Sequence, residues 1–523
     1  MSSVAETPMT PTEPSKREGR RSGGRAARAR ADRKTVGAAP FIQRKVPYLD
    51  YLSEEGLARI EEQADWLLQE VGIEFRDDPK ALDIWRDAGA TVKGTRVYIP
   101  DGMARTLLAT APKQFTFHSR NSAKTVEVGG RNQIFGPVTG PPFAHDLERG
   151  RRYATLQDFQ DLTRLVQSLD SLHMSGFWTC EITDVPVNKR HLDMMYSHLS
   201  LSDKPHLGAI ISRQACADSI AMARIVHGAE ALENGCYLLG NVNTNSPLLV
   251  DKVVTEAIYE YSGANQGIVV VPFILGGAMG PVSTAASVAQ ALAEAMACGA
   301  FSQLVRPGAP FVLGNFLSSM SLRTGAPTFG TPEPVASNYV IAQLARRLGV
   351  PLRCGGALTA SKLPDAQAAA ESADSMHSTA MAGANFILHA AGWLEGGLCS
   401  SYEKLVLDAD RLGGLVKLLG GMDTDDNALG RTAYEDVEPG GHFLGSSHTM
   451  ANYETAYYEN PLSDNRSVEQ WTDAGSHDAA TRATARWKKL LAEYEKPTMD
   501  EGVNEELVAF MDKRRGEMAD AWY

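Results

Sequence analysis

GIVVVPFILGGAMGPVSTAASVAQALAEAMACGA, residues 267–300, sets the pattern of the chain. A run of apolar, largely β-branched residues reads as a buried strand. The glycines and prolines behind it read as a turn, and the Ala-rich stretch from Ser283 as a helix that Ser283 can cap. The same sequence of events recurs around it. Strand-length apolar runs are QIFGPV at 133, HMSGFW at 173, PHLGAIIS at 205, GCYLLGNV at 235, PFVLGNF at 310, PLRCGGA at 351 and ANFILHAAG at 384. Helix candidates fall between them at about 156–170, 188–200, 214–230, 249–262, 283–304, 333–348, 364–382 and 402–419. Fully buried strands joined by helical crossovers predict a parallel sheet, and eight units predict an α/β fold of the closed (β/α)8, or TIM, barrel type over 133–420. A doubly wound open sheet is the alternative.

Outside the barrel, SEEGLARIEEQADWLLQEVG at 53–72 has a Ser N-cap and an apolar stripe through Leu57, Ile60, Ala64, Leu67, Leu68 and Val71, which predicts a helix with one buried face. With RVYIP and KTVEVG as short strands, 39–132 forms an N-terminal helical and strand cap. Residues 421–523 form a C-terminal extension packed on the barrel, ending in helices over 477–495 and 499–520. Residues 1–38 lack bulky apolar side chains. Positions 16–34 hold nine Lys or Arg against Glu18 and Asp32, so this stretch reads as a disordered basic tail, or as an arm for an anionic partner.

The whole chain of 523 residues carries a net charge of −12, which disfavours nucleic acid as a partner. Six cysteines lie far apart with no C-x-x-C pair, the usage of a reducing compartment, and no signal peptide opens the sequence. The longest uncharged run, 261–293, is interrupted by Pro272, Pro281 and several glycines, so it is not a membrane span. The expectation is a cytoplasmic protein.

Barrel chemistry sits at the C-terminal ends of the strands. Those positions supply Phe177, Trp178, Asn241, Asn243, Phe273, Asn315, His389, Trp393 and Glu395. Lysines, HExxH, carboxylate clusters and G-x-S-x-G are missing from them, so neither a Schiff base, a metal nor an acyl enzyme is signalled. Aromatic and amide groups suit a cation that donates no hydrogen bond, a quaternary ammonium, although Trp178 and Trp393 equally serve to cap the core. The turn with Gly276, Gly277, Gly280 and Ser283 offers N–H groups to an anion, or is simply a tight turn. Lys362, Asp365, Gln367 and Glu371 cluster after the seventh run, with Asp365 an N-cap candidate. His442 and His448 read as surface histidines or, less simply, metal ligands.

Several segments together resemble the trimethylamine methyltransferase family, in particular its members without pyrrolysine, which include glycine betaine:corrinoid methyltransferases. They are DLERGRRYATLQDF at 146–159, LGGAMGPVSTAASVAQALAEAMACG at 275–299, PGAPFVLG at 307–314, FGTPEPV at 329–335, SKLPDAQAAAES at 361–372, GANFILHAAGWLEGGL at 383–398 and HFLGSSHT at 442–449. The resemblance implies a (β/α)8 barrel that moves a methyl group from a glycine betaine-like quaternary amine to cob(I)alamin. That cofactor is presented by a small corrinoid protein, with no cofactor or metal held tightly by this chain and a homo-oligomer as the expected assembly. It implies Phe177, Trp178, Phe273 and Trp393 as walls for the ammonium, and Asn241, Asn243, Asn315, His389 or the 276–283 turn as substrate or carboxylate contacts. Glu395 and His389 are the catalytic candidates. Two alternatives are a betaine or sulfonium methyltransferase with tetrahydrofolate as acceptor, and a noncatalytic betaine-binding protein.

Overall fold

The computed structural model describes residues 39–522; the basic tail expected over 1–38 lies outside them. The apolar runs form a curled, mixed α/β arrangement around one eight-stranded sheet. Its order is Ile42–Gln43, Asn132–Phe135, Phe386–Leu388, Leu352–Gly355, Phe311–Gly314, Gly267–Val270, Leu238–Val242 and His206–Gly208. Every pairing is parallel except that of Ile42–Gln43 with Asn132–Phe135. The run at 173 forms no regular strand. It lies between the strands Asn132–Phe135 and His206–Gly208, where the His173 N–H donates to Phe135 O at 2.9 Å and Gly176 bridges His206 in parallel.

The crossovers are helices, as their apolar stripes require: Leu156–Gln167, Arg190–Leu201, Arg213–His227, Lys252–Gly263, Thr284–Val305, Pro332–Leu348, Ala366–Ala382 and Tyr402–Leu419. Thr284–Val305 is long and apolar enough to cross a membrane, but 89% of its most apolar window is buried within the protein. Ser283 stands at its N-cap position without a side-chain capping bond, whereas Asp365 caps Ala366–Ala382 by accepting from the Ala368 N–H at 2.9 Å. Ser53 likewise caps Glu54–Trp66 through the Gly56 N–H, at 3.3 Å. Helices Ala479–Ala492 and Glu501–Glu517 pack outside, the first with Trp487 donating to the buried carboxylate of Glu403 at 2.8 Å.

Two annexes stand at the C-terminal ends of the parallel strands. Phe273–Gly276 pairs in parallel with Phe316–Met320, directly beyond the fifth and sixth runs. Trp393–Leu394, Cys399–Ser401, Phe143–Asp146 and Gly150–Tyr153 form a second small sheet. Side chains from both annexes meet above the end of the strand Leu352–Gly355.

Candidate functional site

Arg353 lies in the middle of PLRCGGA, on a strand buried along its whole length. Its side chain is 1% exposed, and no carboxylate among the described residues pairs with it. Nη1 donates to Asn315 O at 3.2 Å, Nη2 faces His389 Nε2 at 2.7 Å, and Nε has no partner. Burial pushes the guanidinium down to about 10, which leaves it charged at neutral pH. An unpaired buried charge is among the most costly features a core can hold.

His389 follows the strand Phe386–Leu388 in the left-handed region, φ +56°, an uncommon conformation for a residue with a Cβ. Its Nδ1 receives the Thr139 N–H at 3.2 Å. A neutral imidazole has one N–H and one lone pair, yet donors face both nitrogens. With Nδ1 accepting from Thr139 the proton sits on Nε2 and faces Arg353, and with Nε2 accepting from Arg353 it sits on Nδ1 and faces the Thr139 N–H, so in either tautomer one donor is left without an acceptor. Protonation only worsens this. Burial first, and then the Arg353 charge, hold the ring far below the usual histidine range. The complement of the unpaired guanidinium is an anion, which a carboxylate supplies.

Aromatic rings stand over the pair. The Phe316 ring lies 5.3 Å from His389, 5.1 Å from Phe273 and 5.7 Å from Trp393 between centroids. Arg353 Cζ is 5.2 Å from the Phe316 centroid. Trp393 also meets His389 at 4.5 Å and Phe329 at 5.7 Å. The indole is fixed by Nε1 donating to Thr359 O at 3.1 Å, and Thr359 is in turn held by Glu371, which accepts from its hydroxyl at 2.6 Å. Glu371 also accepts from the Ala360 N–H and from Gln367 Nε2. Lys362 Nζ bonds Ala360 O. The cluster after the seventh run thus braces the loop that orients Trp393.

The structure brings His389, Phe273 and Trp393 together and places Asn315 beside Arg353, with its N–H on Arg353 O at 2.9 Å. Asn315 Nδ2 donates to Asn338 Oδ1 at 3.1 Å, and Oδ1 is unpartnered. Asn241 lies on Leu238–Val242 with a buried, unpartnered Oδ1, and Asn243 is exposed just past that strand. Phe177 and Trp178 form a second group. Phe177 stacks on His198 at 5.8 Å, and Trp178 donates through Nε1 to Glu181, which pairs with Arg190 at 2.7 Å. They border a cavity of about 130 Å3 with Met194, Ala209 and Ile211.

Glu395 binds Arg151 at 2.7 Å and ties the hairpin of Phe143–Asp146 and Gly150–Tyr153 to its loop. In the 276–283 turn, the N–H groups of Gly277, Ala278 and Met279 close on Gly280 O and Leu275 O, so these three donors are already used. His442 is exposed and His448 half-buried, with His448 Nε2 meeting Asn427 O at 2.7 Å.

Three participants are not singled out by reading strand ends: Arg353, Phe316 and Phe329. Arg353 had a signal, a charge inside an apolar strand run. Phe316 is the residue immediately after Asn315, and Phe329 comes from a loop whose position no periodicity reveals.

The family model for trimethylamine methyltransferase (MTTB) matches residues 17–519. A glycine betaine methyltransferase of Desulfitobacterium hafniense (strain Y51) is 34% identical over 476 residues, covering 91% of this chain and 99% of that protein. A proline betaine:corrinoid methyltransferase of Eubacterium limosum is 27% identical, covering 80% of this chain and 87% of its own. Among solved structures, the monomethylamine methyltransferase of Methanosarcina barkeri aligns with a TM-score of 0.46 at 11% identity, over 87% of this chain and 97% of that one. With a match across nearly its whole length, the chain belongs to the trimethylamine methyltransferase family and is a methyltransferase.

Proposed function

We propose that this chain removes a methyl group from a quaternary ammonium that also carries a carboxylate, a glycine betaine-like substrate, and delivers it to cob(I)alamin on a separate corrinoid protein. The observation that carries the reading is the buried Arg353 guanidinium, which has no counter-ion and an unpartnered Nε, against His389 and beneath Phe316 and Trp393. A carboxylate bound against the guanidinium answers the unpaired charge. The trimethylammonium group then lies among Phe316, Phe273 and Trp393, whose faces attract a cation by roughly 0.5 to 2 kcal/mol per ring. Two relatives are named for glycine betaine and proline betaine, both quaternary ammonium carboxylates.

The chemistry asks little of acids or bases. The nucleophile forms a bond to the methyl carbon as the C–N bond breaks, and its electron pair leaves with a neutral tertiary amine. Reduced corrinoid, when its carrier docks, supplies that nucleophile. The chain's residues position and desolvate: Arg353 and His389 fix one end of the substrate, the rings exclude water from the other, and His389 stays neutral throughout. On this reading Phe177, Trp178, Asn241 and Asn243 line the approach rather than grip the carboxylate, and Glu395 acts through Arg151 as a loop tie. The curled sheet, with residues 173–176 between its ends, reads as a closed (β/α)8 barrel whose mouth is this site. Val282, Leu322, Leu363 and Leu398 stand exposed on the loops at that end, a face suited to the corrinoid carrier. The relatives' names lend no support to a folate acceptor.

The test mixes the purified chain with cob(I)alamin and glycine betaine, proline betaine or carnitine. Methylcobalamin and the demethylated amine are expected in equal amounts with at least one of them. No methylcobalamin from any carboxylated quaternary amine overturns the reading. Tight betaine binding without turnover would make the chain a noncatalytic binding protein.

A further inference from the structure

Arg353 is a long side chain that no carboxylate among the described residues directs, so the aim of its guanidinium rests on weaker partners. These are Asn315 O at 3.2 Å and His389 Nε2 at 2.7 Å. Asn315 is the one residue between Phe311–Gly314 of the main sheet and Phe316–Met320 of the annex. There the chain leaves one set of strand partners for another. The Asn315 N–H donates to Arg353 O at 2.9 Å, while its carbonyl takes the guanidinium. At such a break the direction of that carbonyl depends on what anchors the residue.

The anchor is a chain of buried side chains. Asn315 Nδ2 donates to Asn338 Oδ1 at 3.1 Å and to Ser337 Oγ at 3.3 Å, and Asn338 Nδ2 donates to Ser378 Oγ at 3.0 Å. Ser378 Oγ in turn donates to Ser375 O at 2.8 Å. Asn315 Oδ1 has no partner, so the side chain is held through Nδ2 alone. Asn315 and Ser378 are 1% exposed and Asn338 8%. The chain thus runs from the break between the strands, across Pro332–Leu348, to Ala366–Ala382. Amides buried between helices carry a desolvation cost that Leu or Ala would not. Fixing the register of the two helices is one return on that cost. The inner end of the chain supplies another, since it stops at the residue whose carbonyl receives Arg353.

We infer that Asn338 is a positioning residue for Arg353: through the Asn315 side chain it fixes the carbonyl that aims the guanidinium at the substrate's carboxylate. The inference rests on the assignment of that carboxylate to Arg353, and the two are separable by experiment.

The test is the ratio of kcat/KM for glycine betaine to that for its methyl ester with cob(I)alamin, since the ester lacks the negative charge that Arg353 reads. Asn338→Leu keeps the volume and removes both amide bonds. The ratio is expected to fall roughly 2- to 12-fold, with kcat/KM for the ester changed less than about twofold. In an Arg353→Met background the same substitution is expected to move the ratio less than about twofold, because a residue that acts through Arg353 has nothing left to act on. Gln343 is a second buried amide on the same helix, accepting from the Tyr51 and Leu52 N–H groups at 2.9 and 3.0 Å. Gln343→Leu is expected to lower stability and leave the ratio unchanged. Ser378→Ala removes only the outer link, and a fall of about twofold is expected; it carries the test should Asn338→Leu not fold. A ratio that collapses in Arg353→Met yet stays at the wild-type value in Asn338→Leu and Ser378→Ala overturns the inference and leaves the carboxylate assignment standing. An equal fall in Gln343→Leu, or an undiminished effect of Asn338→Leu in the Arg353→Met background, also overturns it. A ratio that Arg353→Met leaves unchanged overturns both.

Discussion

Two aromatic groups stand at the same end of the sheet, and they are not equivalent. Around Phe177 and Trp178 the charged groups are paired, although His191 Nδ1 and Thr179 Oγ1 lack partners. Trp178 Nε1 goes to Glu181, Glu181 to Arg190, and His198 bridges Ser175 Oγ at 2.9 Å and Phe177 O at 2.8 Å. Around Phe316 and Trp393 the rings rest on a guanidinium with no counter-ion and a histidine faced by two donors. The first group behaves as packing that happens to lie near a mouth. The second is incomplete without a ligand, and the incompleteness specifies the ligand's charge. Aromatic content alone does not distinguish them; the unpaired buried charge of Arg353 does.

The largest effect separating the two groups is expected from Arg353→Met. Losing one partner of a buried charge contact costs about 2 to 5 kcal/mol, so kcat/KM for glycine betaine should fall by roughly 30-fold to several-thousand-fold. Steady-state kinetics with cob(I)alamin would show it, and a fall of less than tenfold would place the carboxylate elsewhere.

The histidines offer a comparison in acid. Burial, reinforced by neighbouring His206, lowers His198 to about 3. The unfolded chain then binds more protons than the folded one between that value and the ordinary histidine pKa of about 6.5. Stability is therefore complete above about pH 6.5 and is lost as pH falls toward 3, with each such histidine contributing up to about 1.4 kcal/mol per pH unit. Denaturant unfolding of His198→Gln between pH 4 and 7 should show a shallower acid slope than wild type. An identical slope would mean that His198 is protonated in the fold. Burial and the Arg353 charge hold His389 well below the usual histidine range, so kcat/KM is expected to show no histidine inflection between pH 6 and 8.

Phe316→Leu keeps volume in the site but removes the ring, and a loss of about 0.5 to 2 kcal/mol, roughly 2- to 30-fold in kcat/KM, is expected. Trp178→Phe gives up the bond to Glu181 and is expected to lower stability by about 1 to 3 kcal/mol while changing kcat/KM less than twofold. Reversal of these two outcomes would move the ammonium site to the other group.

Much of this architecture is legible in the amino-acid order. The helix expected at 333–348 is Pro332–Leu348, and that expected at 402–419 is Tyr402–Leu419, because buried crossover helices carry their apolar stripes in sequence. Seven of the eight apolar runs contain strands of the main sheet. HMSGFW does not form a regular one, since its His173 ring nitrogen takes the Phe135 N–H at 3.0 Å in place of a backbone acceptor. The site was legible in half. Strand ends point to Phe273, Asn315, His389 and Trp393, but pairing of rings across loops is a tertiary fact. So is the use of the 277–279 N–H groups inside their own turn, which a glycine pattern does not disclose. Arg353 is the instructive case: a charge in an apolar strand carries more information than any residue at the strand's end.

The central claim is that Arg353 and His389 hold the substrate's carboxylate, and the most direct test is the ratio of kcat/KM for glycine betaine to that for its methyl ester, in wild type and in Arg353→Met. The ester keeps the quaternary ammonium and lacks the negative charge. A wild-type ratio of roughly 30 or more that collapses toward one in the variant is the predicted result. A ratio that is the same in both proteins would contradict the account.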